Sequence, residues 1–227
     1  MKAYMTKWSL FYKEDIMPQE TFFNLPDNKR NLIISAAMHE FSKNNYKTAS
    51  INKICKKANI PKGSFYQYFT DKLDLYVYIM SFAIEKKVKF FSDVISKFNT
   101  LTMFKQLRLL FVKGIEFAKK YPLYAELGEQ FSKEHDELAK SAVIKAGDKQ
   151  AQSLFMQMIC NAKMKGEIDG NVDSFALCLL LKTLNSTVNE YMLEKSGNAC
   201  CVYSEEELLS FVDSLLKIVF YGILNKT

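Results

Sequence analysis

Between Ser50 and Phe69 the sequence interleaves hydrogen-bond donors with apolar positions. Ser50, Asn52, Lys53, Lys62, Ser64, Tyr66, Gln67 and Tyr68 are polar, whereas Ile54, Cys55, Ala58, Ile60, Phe65 and Phe69 can form an interior. Hydroxyls, carboxamides and ammonium groups are the side chains that bind phosphate oxygens and read base edges. Charge is concentrated around the same stretch. Residues 28–72 hold nine basic residues (Lys29, Arg30, Lys43, Lys47, Lys53, Lys56, Lys57, Lys62 and Lys72) against Glu40 and Asp71, a net of +7, while the whole chain carries +6. A basic module on a near-neutral body suits a polyanionic partner, and a solvated lysine-rich surface is the plain alternative.

Other chemistries find little support. There is no G-x-S-x-G, P-loop, G-x-G-x-x-G or H-E-x-x-H, so an enzyme is not expected. His39 and His135 lack clustered cysteine or acidic partners, and neither a metal site nor a cofactor is expected. Five cysteines, an odd number without C-x-x-C spacing, fit a reducing cytoplasm. The longest apolar runs, such as 218–224, are far short of a membrane span, and no secretory signal is visible at the N-terminus.

The elements that must carry the donors read as helices throughout. With 8 Gly and 4 Pro in 227 residues, turn residues are too sparse for a β-sandwich, and no alternating strand appears. Residues 1–26 show no period and read as an N-terminal extension or loosely docked arm, with Met17 a second candidate start. Asp27 is a candidate N-cap for a helix carrying Leu32, Ile33, Ala36, Ala37 and Phe41 on one face, ended by Asn44-Asn45. Short helices follow at about 50–58 and 61–68, parted by Asn59. Asp71 is the expected cap of a long helix to about 98. Further helices are expected at roughly 101–120, 123–132, 135–165 with an interruption near Gly147, 173–195 opened by Asp173, and 204–224. The last is opened by the capping box Ser204-Glu205-Glu206-Glu207. The fold class is therefore all-α.

Short helix, tight turn, short helix is the layout of a helix-turn-helix, in which the second helix enters the major groove of DNA. Small inward residues let the pair pack closely, and Gly63 lets the start of the second helix approach the backbone. The string from Ile33 to Leu75 resembles the DNA-binding domain of TetR/AcrR transcriptional regulators. The resemblance lies in Ile34, Ala36-Ala37, Phe41, Tyr46, Ser50, Ile54, Ala58, Ile60, Tyr66, Phe69 and Leu75, and above all in the run Lys62 to Lys72. It covers about a fifth of the chain. Ala49 departs from the threonine that often caps the second family helix, and Asn59 and Pro61 stand where Gly and Ser are usual. Beside the aperiodic arm (1–26), the resemblance implies a helix-turn-helix domain (27–72) and a helical effector-binding and dimerisation domain (73–227). It implies that Lys62, Gly63, Ser64, Asn52 and Gln67 lie near bases, and that Ser50, Tyr66, Tyr68 and Lys72 contact phosphates. With no arginine in the helix pair, the bidentate arginine–guanine contact is missing, and readout falls to Lys, Ser, Asn or Gln and to DNA shape.

In the body, 173–195 and 204–224 are apolar around much of their circumference, which suits either a homodimer interface or a wholly internal core. Phe104, Phe111, Phe131, Phe155 and Met158 are candidates for an apolar effector pocket, although core packing explains each singly. Arg108 could pair an anionic ligand or a surface acid. Cys200-Cys201 is a minor candidate for a thiol sensor. The expected function is a homodimeric repressor that binds a double-stranded operator and is released by a small apolar or amphipathic effector. The alternatives are an architectural DNA-binding protein without ligand response and, last, an all-α enzyme.

Overall fold

The first core is built by helices that begin and end on local side-chain signals. The computed structural model describes residues 18–197 and 204–222. Ten α-helices and one 3-10 turn occupy them, with no strand among the described residues. The helices are α1 (Glu20–Phe23), α2 (Asp27–Lys43), α3 (Ile51–Lys57), α4 (Lys62–Tyr68), α5 (Lys72–Ile95), α6 (Met103–Lys120), α7 (Pro122–Ser132), α8 (Glu137–Met164), α9 (Ser174–Gly197) and α10 (Glu205–Tyr221). Trp8, Phe11, Tyr12, Met17, Cys200 and Cys201 lie outside the described residues.

Several boundaries follow from caps that the sequence displays. The Asp71 carboxylate accepts the Asp74 N–H at 2.8 Å, and Asp173 accepts the Ala176 N–H at 2.7 Å. Ser204 and Glu207 form the reciprocal capping box. Other signals act differently from expectation. Pro26, in extended geometry, is the N-cap of α2, so Asp27 falls in the first helical turn and pairs with Arg30. Asn44 is extended rather than left-handed, and its carboxamide donates to the Glu40 carbonyl at 3.0 Å. Leu32, expected inward, is exposed.

Gly147 does not interrupt α8, which runs unbroken from Glu137 to Met164. A Cβ at this position would lie 2.8 Å from Cδ1 of Ile84. The missing side chain permits close packing rather than a break. Gly166 does terminate α8, in the left-handed region at φ 67°. Its N–H bonds to Lys163 O and that of Glu167 to Ala162 O, which is the Schellman arrangement.

Two compact units divide the chain: Met1–Lys87 with Tyr121–Lys149, and Val88–Lys120 with Gln150–Thr227. These limits differ from 27–72 and 73–227, and the first core shows why. Phe22 from α1, Ile33, Ala37 and Phe41 from α2, Ile54, Phe65 and Phe69 from the short helices, and Leu75 and Ile79 from α5 share it with Leu127, Ala139 and Val143. The short helices alone bury too little apolar surface, so later helices complete the unit. The buried Glu134 carboxylate locks this arrangement by accepting N–H bonds from Tyr46 (2.7 Å), His135 (3.0 Å) and Asp136 (2.9 Å).

Residues 18–26 are not loosely docked. Phe22 is fully buried, 4.8 Å from the Phe69 ring and 5.2 Å from that of Tyr78. The second unit has its own core, in which Met103, Leu107, Met158, Ile159, Cys178, Leu181, Leu208, Val212 and Leu216 are buried. Tyr191 of α9 stacks on Phe211 of α10 at 3.9 Å.

Candidate nucleic-acid interface

Two seven-residue helices, α3 and α4, form the site, and their joint explains how such short elements hold a fixed angle. After α3 the chain turns through Asn59, at φ 53°. The Ile60 N–H bonds to Cys55 O at 3.0 Å and the Asn59 N–H to Lys56 O at 3.3 Å. This Schellman closure needs a residue that tolerates the left-handed region, and asparagine serves where glycine is more usual. Ile60 then buries beside Ile54, Cys55 and Ala58. Pro61, at φ −61°, caps α4.

The departure at Ala49 also has a physical account. Ser50 is the N-cap of α3, its hydroxyl accepting the Lys53 N–H at 3.4 Å, and its own N–H donates to the Glu40 carboxylate at 2.9 Å. Ala49 is buried, where a small residue fits. Ser50 therefore carries the cap in place of residue 49, with its O–H still available as a donor.

Around these joints lies an exposed polar surface. Asn52, Lys62, Gly63, Tyr66 and Gln67 are exposed and Ser64 is half-buried. Lys53, Lys56 and Lys57 are exposed as well, and no acid occurs from residue 50 to residue 70. Lys56 and Lys57, which directly follow the buried pair Ile54-Cys55, add two exposed ammonium groups to this surface. Cys55 is buried, which pushes its thiol up against the lowering effect of Lys62. The thiol is thus a packing group rather than a nucleophile.

Two expected contacts are placed otherwise. Tyr68 is buried, its ring 6.3 Å from Phe22, so it belongs to the core face of α4 while Tyr66 stands 52% exposed. Lys72 turns inward: its ammonium donates to the carbonyls of Lys47 and Ala49, both at 3.1 Å, and lies 4.7 Å from the Tyr46 ring centroid. Burial, followed by Asp71, Asp136 and Glu134, raises the Tyr46 phenol, so that ring stays neutral beneath the cation.

The expected effector-pocket residues are divided between the units. Phe104, Phe111, Phe155 and Met158 belong to the second core, Phe104 lying 5.6 Å from Phe220. Phe131 packs against the first core, so it is not grouped with them. Arg108 binds Asp213 at 2.7 Å in an open groove of about 340 Å³ lined also by Glu206, Ser210, Ser214 and Lys217. No cluster of metal-ligating side chains and no helix apolar enough to cross a membrane occurs among the described residues.

A capped helix pair with a basic, donor-rich outer surface in an all-helical chain defines a helix-turn-helix regulator of transcription. Residues 33–79 match the family model for bacterial regulatory proteins of the tetR family. A TetR family transcriptional regulator from Chloroflexus aurantiacus J-10-FL is 30% identical, over 89% of this chain and 90% of that one, with a TM-score of 0.57. The chain belongs to the TetR family of DNA-binding transcriptional regulators. Its fold is also similar to that of the regulator FadR from Bacillus subtilis in complex with stearoyl-CoA (19% identity, 86% and 99% covered, TM-score 0.67). The fatty acid degradation regulator FadR from Bacillus halodurans is similar too (19%, 89% and 100%, TM-score 0.68). No curated protein matches the sequence.

Proposed function

We propose that this regulator is a homodimeric repressor, acting in the cytoplasm, that leaves its operator when a small apolar or amphipathic effector binds. One observation carries the reading: α9 and α10 leave large apolar side chains in solvent although both have a packed inner face. Phe175, Leu179 and Leu180 on α9 and Ile218 and Tyr221 on α10 are 45–63% exposed, beside the buried Leu181, Leu184, Val212 and Leu216. Such a surface favours a self-complementary partner, and two recognition helices then meet two half-sites. Asn52, Lys62, Gly63, Ser64 and Gln67 approach the bases, while Tyr66 and the lysines 53, 56 and 57 hold phosphates. The aromatic-rich core of the second unit would suit an apolar group, and an acyl-CoA, which Bacillus subtilis FadR holds, is one amphipathic candidate. Binding would shift the dimer toward a conformation that no longer matches the half-site spacing.

Selection of bound duplexes from a random-sequence pool, with sedimentation of the free protein, tests this. Paired half-sites and a dimer that Leu180→Glu converts to monomer are the expected results. A monomer binding single half-sites overturns the dimer. A footprint without sequence preference, unmoved by acyl-CoAs or other amphiphiles, favours an architectural protein.

A further inference from the structure

The recognition helix α4 is too short to hold itself. Its seven residues leave the carbonyls of Phe65, Tyr66, Gln67 and Tyr68 without partners inside the helix. The Phe69 N–H takes Phe65 O at 2.9 Å. Two of the others are satisfied from a distant part of the chain. The Gln19 N–H donates to Tyr68 O at 2.8 Å, and the Thr21 hydroxyl donates to Gln67 O. The Gln19 carboxamide reaches Thr70 Oγ1 at 3.3 Å. Directly after Thr21, Phe22 is buried against Tyr68, Phe69 and Tyr78. At its other end the segment is tied to α2, because Arg30 Nη1 donates to Phe23 O at 2.9 Å and to Leu25 O at 3.3 Å.

We propose that residues Gln19 to Phe22 are a positioning clamp for DNA reading, fixing the end of α4 that carries Gln67 and thereby setting operator specificity. Phosphate contacts tolerate a small rotation of a helix, since a lysine stem follows its target. Base contacts do not, because a carboxamide must meet its edge with hydrogen-bond geometry. Loosening the clamp therefore costs base reading more than it costs general attraction to DNA. The clamp rests on the assignment of α4 as the reading helix, and the test separates the two.

The perturbation can be made while the buried Phe22 ring is kept. Gln19 already has φ −62°, the proline value, so Gln19→Pro removes the N–H donor without forcing that dihedral. Thr21→Val removes the hydroxyl at constant shape. Both are made in the full chain with Phe22 retained, and Thr21→Ser is the rescue. Affinities for the selected operator and for random duplex are measured at two salt concentrations, with unfolding midpoints alongside, and Gln67→Ala in parallel.

The double variant is expected to lose the operator-to-random ratio by about tenfold, with random-duplex affinity and salt slope unchanged, and Thr21→Ser is expected to keep it. An unchanged ratio overturns the clamp. Equal losses on both duplexes that follow the unfolding midpoint also overturn it, because they describe a stabilising contact only. If Gln67→Ala leaves the ratio intact while the clamp variants lower it, the clamp stands and Gln67 is not a base reader.

Discussion

Replacing Lys72 by methionine distinguishes a strut from a phosphate ligand. The ammonium bonds two carbonyls, Lys47 O and Ala49 O, each at 3.1 Å, and faces the Tyr46 ring at 4.7 Å. Hydrogen bonds from a charged donor contribute about 1.5–3 kcal/mol each when buried, and a cation on a ring about 0.5–1 kcal/mol. Lys72 is half-exposed, which reduces each by more than half. Against them stands a cation in the first turn of α5, at the positive end of the helix dipole, an unfavourable effect of about 0.3–1 kcal/mol that Lys72→Met relieves. The net expectation is a loss of about 1–2 kcal/mol, because methionine keeps most of the stem packing but leaves the buried Ala49 carbonyl without a donor. Urea unfolding followed by circular dichroism reads this directly. Binding to random duplex, measured where the variant is fully folded, should keep the wild-type salt slope. An unchanged urea midpoint together with a salt slope reduced by about one would refute the strut and return Lys72 to the phosphate contacts.

Asp74 supplies a test in pH. Burial, opposed by the Thr70 N–H and aided by Asp71, raises its carboxyl to about 6 from an ordinary 3.8. The folded state then holds the proton through a window, about pH 4 to 6, in which the unfolded chain has released it. Stability therefore falls as pH rises through that window, by about 3 kcal/mol in total. Asp74→Asn, which can still accept from Thr70, should gain on the wild type across the window and keep a constant lead above it; parallel urea curves at pH 4 and 7.5 would count against this. Asn59→Ala should cost about 1 kcal/mol in urea unfolding, because alanine has no compensation at φ 53°, whereas Asn59→Gly should cost nothing. Ile54→Ala, at a fully buried position, should cost about 2–5 kcal/mol; a smaller loss would mean that the α3–α4 joint collapses around the cavity.

What was legible in the sequence was what is local in the chain. Asp71, Asp173 and the Ser204–Glu207 box satisfy N–H groups within three residues of themselves, so their meaning does not depend on the rest of the fold. The α3–α4 turn is equally local: Asn59 followed by an apolar residue and a proline describes a left-handed closure and a new helix start. Features that depend on a distant neighbour were not legible. Gly147 looks like a breaker until Ile84, 63 residues earlier, is seen to occupy the space of its missing Cβ. Phe131 has the inward spacing of its helix, but the period says nothing about which core it enters.

Tyr66 and Tyr68 show the same limit within the site itself. Both are amphipathic, both lie on one seven-residue helix, and Phe65 with Phe69 already supplies an inward pair, so the motif alone leaves either tyrosine free to face DNA. The partner that separates them lies outside the motif. Phe22 extends the core past Phe69 and covers Tyr68, and it does so from a four-residue helix too short to show any hydrophobic period. The same segment supplies the donors for the Gln67 and Tyr68 carbonyls. The polar surface of α4 thus depends on two stretches of chain: one that carries both tyrosines, and one, some 45 residues earlier, whose Phe22 covers Tyr68 while Tyr66 stays in solvent.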